Sequence, residues 1–144
     1  MHITEAALSL DALMAETERD DCGALAVFSG TVRDHHDGKS VTRLVYSAHV
    51  PVASRVIREI EAEVVAKFDV EVCRIAHRIG DIPIGDSAVM VVVRGGHRGP
   101  AFDAVRYGID EVKRRVPIWK EEFYGDGTRA YVEGCALDGS VHEP

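Results

Sequence analysis

Cysteine is scarce in this chain: Cys22, Cys73 and Cys135 are the only three in 144 residues. An odd number at wide spacing excludes a disulfide framework and a CxxC metal site, and it fits a reducing compartment. Long hydrophobic runs are also missing. The run AVMVVV at 88–93 falls far short of the roughly 18 apolar residues a membrane span needs. The opening MHITEAALSLDAL lacks the basic, apolar, small-residue order of a signal peptide, so a cytoplasmic location with no membrane partner is expected. Positive charge is in deficit. Lys and Arg total 17 against 24 Asp and Glu, and the net −7 repels nucleic acid and anionic lipid over most of the surface. Repeats, low-complexity tracts and Pro/Ser-rich linkers are absent too, which leaves one domain over residues 1–144.

What is present is a mixture of helical and strand patterns. Ser9 is placed to cap a helix of two turns through Leu10, Leu13 and Met14. Residues 23–32 read as a strand, HHDGKS at 35–40 as a turn-rich loop, and 41–47 as a second strand, so a hairpin-like pair with a long loop is expected. Pro51 opens an amphipathic helix through Val52, Val56, Ile57, Ile60, Val64 and Phe68. Strands follow at 70–79 and 87–94, the latter covered on both faces, with Gly80, Pro83 and Gly85 marking turns between them. Pro100 starts a second long helix whose stripe is Phe102, Val105, Ile109, Val112 and Val116, and Pro117 stops it. Two short strands at 118–124 and 130–133 flank the Gly125-Asp126-Gly127 turn. Strands and helices do not alternate strictly, so the fold class is α+β.

Charge is uneven along this framework. Between residues 94 and 120 there are seven basic and three acidic side chains, so this window is cationic on an acidic protein. Either these are solvated helix-face charges, or they form a site for a small anion. The turn Gly95-Gly96-His97-Arg98-Gly99-Pro100 lies before a helix N-terminus, where free N–H groups and the dipole favour an anion. His97 and Arg98 add a titratable donor and a planar fork suited to phosphate or carboxylate. The Lys-Ser/Thr of a Walker loop is missing.

Lys113 falls at the edge of the second helix's apolar stripe, on the side of Arg106. It is either a lysine that covers apolar surface with its stem or a desolvated amine fit for proton transfer. Lys120 follows Pro117 and Trp119, the single tryptophan. It is either an exposed edge-strand lysine or an amine aimed into the same region. Arg33 ends the strand at 23–32 and can be a further anion contact. His35 and His36 lack a second ligand pair at a recognised spacing, so no metal is expected. No Ser-His-Asp signature or reactive-cysteine context is present.

Several strings together resemble one family, the catalytic (large) subunit of molybdopterin synthase. They are GALAVFSGTVRD at 23–34, HRIG at 77–80 with Gly85-Asp86 after it, VVVRGGHRGPAF at 91–102 and IDEVKRRVPIWKEE at 109–122. The resemblance implies an α+β, α/β-hammerhead-like fold with an additional small antiparallel sheet. It implies a sulfurtransferase that converts cyclic pyranopterin monophosphate to molybdopterin. The two dithiolene sulfurs would arrive as a C-terminal thiocarboxylate on a small ubiquitin-like carrier subunit. Two catalytic subunits would form a homodimer within a heterotetramer, with no cofactor. Lys113 and Lys120 match the family's catalytic lysines, and Arg33, His97 and Arg98 match residues lining the pterin and phosphate pocket. In the stretch Val45 to Val50, where family members usually carry Glu and Tyr, this chain has Ser47 and His49; Tyr131-Val132 stands where Trp-Val is usual, and Cys135 where some relatives place an arginine that reaches across the dimer.

An anionic thiocarboxylate and a phosphate both call for a cationic pocket, so the resemblance and the charge pattern point the same way. The expectation is one hollow in which Arg33, His97, Arg98 and the helix N-terminus hold the substrate while Lys113 and Lys120 move protons. Two rivals remain at this level: a non-catalytic phosphate-binding adaptor, and a phosphate-ester or acyl transferase using Lys113.

Overall fold

A computed structural model describes residues 1–133; Cys135 lies outside them. The elements run β1 (Ile3–Thr4), α1 (Leu10–Glu16), β2 (Ala24–Thr31), β3 (His35–His36), β4 (Lys39–Ala48), α2 (Val50–Lys67), β5 (Val70–Arg78), β6 (Gly80–Ile82), β7 (Ser87–Gly95), α3 (Arg98–Arg115), β8 (Ile118–Tyr124) and β9 (Arg129–Glu133). Strands β1-β5-β7-β2 form a four-stranded sheet. The second sheet is β3-β4-β8-β9, with β6 also pairing β4. Three helices and two sheets, the second of them antiparallel, match the α+β expectation.

The AVMVVV run explains the layering. In β7 the side chains of Val89, Val91 and Val93 enter the main core with α2 and α3, while Met90 and Val92 face Leu13 of α1. Successive residues of a strand point to opposite faces, so a strand apolar at every position needs cover on both. The main core contains Ile57, Ile60, Ile75, Val91 and Val93, all fully buried, each contributing roughly 1.5–3 kcal/mol relative to exposure. Gly108 lets α3 press against this sheet, since a Cβ there would lie 3.1 Å from Val91 Cγ1.

Helix starts follow the local chemistry. Ser9 caps α1 by accepting from the Ala12 N–H at 3.1 Å. At α2, Nδ1 of His49 accepts from the Val52 N–H at 3.4 Å, so His49 serves as the helix cap. α3 begins at Arg98, two positions before Pro100. The first turn tolerates proline because its N–H groups have no intrahelical partner.

Three expectations are corrected. The strand at 23–32 does not pair with that at 41–47: β2 pairs with β7, and β4 pairs with β8. Val32 is held across the Asp86 turn, where its N–H donates to Asp86 O and its carbonyl accepts from Gly85 N–H, each at 2.9 Å. The chain therefore leaves the first sheet there. Second, the 35–40 loop is itself a tight hairpin, β3 to β4, because Asp37 and Gly38 adopt φ of 49° and 78°, as such two-residue turns require. Third, Phe102 is 61% exposed. The buried face of α3 runs through Ala101, Ala104, Gly108, Ile109 and Val112, so small residues turn the helix and leave Phe102 outside.

Candidate active site

Lys113, Lys120 and Arg33 line one open cavity of ≈ 320 Å³ between the two sheets, with Tyr46, Val89 and Glu122 among its walls. Three unrelated stretches of sequence converge there for separable reasons. Arg33 follows Val32, whose backbone is clamped to the Asp86 turn, and precedes Asp34, whose carbonyl accepts from Val41 N–H at 2.8 Å. Lys113 rides on the last turn of α3, where a cation complements the helix dipole. After Val116 and Pro117 end that helix, β8 carries Lys120 into the ladder opposite Tyr46.

The expected cationic window is spent unevenly. Arg115 makes two bonds to Glu63, at 2.7 and 2.8 Å, and Arg114 donates from Nε to Glu111 at 3.1 Å. Arg94 turns inward to Met14 O at 2.9 Å, and Arg106 pairs with Asp110 on the surface. Those four arginines brace structure. Lys113 and Lys120 face the cavity.

Burial depresses the Lys120 amine below the ordinary lysine range, and the charges of Lys113 and Arg33 push it the same way against the opposing pull of Glu122. A lysine lowered in this way donates and accepts protons nearer neutrality. Tyr46 is pushed up to about 12 by burial and by the charge of Glu122, so it stays a neutral phenol. His77 lies under this wall, its ring edge-on to Tyr46 at 5.1 Å. Burial brings it down to about 4, opposed by its bond to Arg78 O and assisted by the charge of Lys113. Because a carbonyl only accepts, its Nδ1, 2.8 Å from Arg78 O, carries the proton.

Glu122 was not singled out in the sequence. It is 4% exposed and lines the cavity two residues from Lys120; alternation along β8 places the two on one face, and that spacing was the available signal. His35 and His36 pair with carboxylates rather than with each other: His35 with Asp34 at 2.9 Å and His36 with Glu122 at 2.7 Å.

His97 and Arg98 lie elsewhere. They border a second depression of ≈ 420 Å³ with Leu25, Ala101 and Phe102, at the N-terminal end of α3. Both are exposed, and His97 precedes the helix with extended backbone and no side-chain cap. A single chain therefore holds two separate cationic surfaces where one hollow was expected. Ser47 is exposed on β4 opposite Trp119, and Tyr131 of β9 is exposed opposite Glu121.

With this geometry in view, a family model described as MoaE protein matches residues 3–115. The chain belongs to the MoaE protein family. It is 36% identical over 148 residues to the molybdopterin synthase catalytic subunit of Dictyostelium discoideum, an alignment covering 99% of this chain and 94% of that one. Among solved structures, molybdopterin synthase from Staphylococcus aureus superimposes with a TM-score of 0.86 at 32% identity, over 91% of this chain and 95% of that one. A complex of subunits 1 and 2 of molybdopterin-converting factor from Helicobacter pylori gives 0.74 at 26% identity, over 92% and 89%. The resemblance read from the motifs is borne out, and with it the reading of this MoaE family member as an enzyme of molybdenum cofactor biosynthesis.

Proposed function

We propose that this chain inserts the dithiolene sulfurs of molybdopterin into cyclic pyranopterin monophosphate, taking each sulfur from the thiocarboxylated C-terminus of a small ubiquitin-like carrier. The observation that carries the reading is the convergence of Lys113, Lys120 and Arg33 on one cavity. The thiocarboxylate sulfur displaces an oxygen leaving group from a pterin side-chain carbon, so that a C–S bond forms as the C–O bond breaks and the pterin and carrier are joined through a thioester. Water then adds to the thioester carbonyl through a tetrahedral oxyanion, whose collapse releases the carrier carboxylate and leaves the sulfur on the pterin as a thiolate. Lys113 stabilises that oxyanion, and the depressed amine of Lys120 transfers the proton. Arg33 holds an anionic group of the substrate at the mouth.

The two thiols among the described residues, Cys22 and Cys73, are unsuited to supply the sulfur. Burial pushes Cys73 up to about 12 and raises Cys22 as well, so neither is a ready thiolate at neutral pH. Both are free thiols, which supports a reducing, cytoplasmic setting. Among the described residues, no helix is long and apolar enough to cross a membrane. The Helicobacter pylori complex pairs two different subunits, which supports a second, carrier subunit as this chain's partner.

His97 and Arg98 join the reaction from a second copy. At about 1.5 Å of rise per residue, Arg98 and Lys113 stand about 22 Å apart along α3, too far for one small substrate to bridge. Leu25 and Phe102 are 41% and 61% exposed and border the same depression as His97 and Arg98, and this apolar surface fits a homodimer interface that delivers His97 and Arg98 to the partner's lysines. The test is to mix the purified protein with a thiocarboxylated carrier and the cyclic pterin and to look for dithiolene product. Product with release of carrier carboxylate supports the proposal; binding without product identifies a phosphate-binding adaptor.

A further inference from the structure

The carboxylate of Glu122 is held from two sides at one oxygen. His36 Nδ1 lies 2.7 Å and Tyr124 Oη 2.9 Å from Oε1, whereas Lys120 Nζ stands 4.0 Å from Oε2. An ionised carboxylate only accepts, so both His36 and Tyr124 donate. Glu122 and Lys120 sit two residues apart on one face of β8 and line the same cavity, so nothing in the backbone prevents a closer ion pair.

We infer that His36 and Tyr124 are positioning residues: they tie up Glu122 so that Lys120 is steadied by its carboxylate without being captured by it. His36 is not among the residues lining the cavity. It reaches Glu122 from the short β3 hairpin, whose turn is set by Asp37 and Gly38. Two donors on Oε1 spread the carboxylate's charge away from Lys120. Without them Glu122 turns its full charge on the amine, which closes to a salt bridge, becomes harder to deprotonate and withdraws from the reacting sulfur. The charged groups around Lys120 are Lys113 from α3, Arg33 after β2 and Glu122 on β8, with the phenol of Tyr46 opposite on β4. Around Glu122 they are His36, Tyr124 and Lys120, with Tyr46 also within its field.

The kinetic part of this inference rests on the sulfur-transfer reading, but its primary readout does not. The pH profile of Lys120 labelling by an amine-directed acylating reagent, followed by mass spectrometry on the full chain, measures the amine with no substrate present. His36→Leu and, independently, Tyr124→Phe are expected to move the labelling midpoint upward by about one pH unit. Each should lower kcat about tenfold with little change in KM. His36→Asn, which keeps a donor near the Nδ1 position, restores both. Tyr124→Phe removes one hydroxyl from a partly exposed side chain, so it reads the brace even where His36→Leu perturbs the hairpin. A labelling midpoint unchanged in both variants overturns the inference, whether or not the chain transfers sulfur.

Discussion

Arg98 opens α3 and Lys113 rides near its other end, so one 18-residue helix holds these two cations about 22 Å apart. In the proposed dimer the helix is the spacer between two half-sites. If each complete site takes its lysines from one chain and Arg98 from the other, two inactive variants complement each other. Lys113→Ala and Arg98→Ala chains, unfolded together and refolded as a mixture, should recover about a quarter of wild-type activity, because half the dimers are hybrids with one intact site. Each variant alone stays inactive. Absence of recovery in mixed dimers would place both cations in the same chain's site.

The exposed apolar patch that accompanies Arg98 gives a second prediction. Phe102→Glu puts a charge on a side chain that is 61% exposed, so the fold should keep its melting temperature within a few degrees. Self-association should weaken at least tenfold, read by sedimentation velocity over a concentration series. An unchanged dimer would move the interface elsewhere.

Acid should destabilise the fold through His77. Its folded value of about 4 lies below the ordinary 6.5, so between those limits the unfolded chain binds the extra proton. Stability is therefore fully present above about pH 6.5 and is lost progressively as pH falls toward 4, by about 3 kcal/mol in all. Urea unfolding at pH 7.5 and 4.5 should show this loss, and His77→Gln, which cannot titrate, should show a markedly smaller one. Equal slopes in the two proteins would mean that His77 is not buried in its neutral form.

Lys120 separates charge from proton transfer. Lys120→Arg retains the cation beside Glu122 but not an amine whose proton is held less tightly than in an ordinary lysine. Single-turnover sulfur transfer should fall about a hundredfold, while affinity for the pterin changes less than threefold. Full activity of the arginine variant would make Lys120 an electrostatic contact only.

Much of this site was legible in the sequence because it depends on local pattern. The position of Lys113 beside an apolar stripe and the turn at Pro117 before Lys120 both follow from periodicity and proline chemistry, and the cavity holds both amines. Phe102 was misassigned because hydrophobic spacing reports apolarity, and the packed face was chosen instead by the small residues Ala101, Ala104 and Gly108. His97 and Arg98 were drawn into the lysine hollow because a charge window along the chain takes no account of helix length. The partner of β2 was missed because its apolar residues answer to β7, far away in sequence. Glu122 and His36 were overlooked as a pair because their contact joins β8 to a hairpin whose residues are remote in the chain.

The most direct measurement is single-turnover sulfur transfer by Lys113→Ala, assembled with thiocarboxylated carrier and cyclic pterin and compared with wild type at equal concentration. The account predicts loss of dithiolene product by at least a hundredfold with melting temperature and dimer mass unchanged. Near-normal turnover in a folded dimer would contradict it.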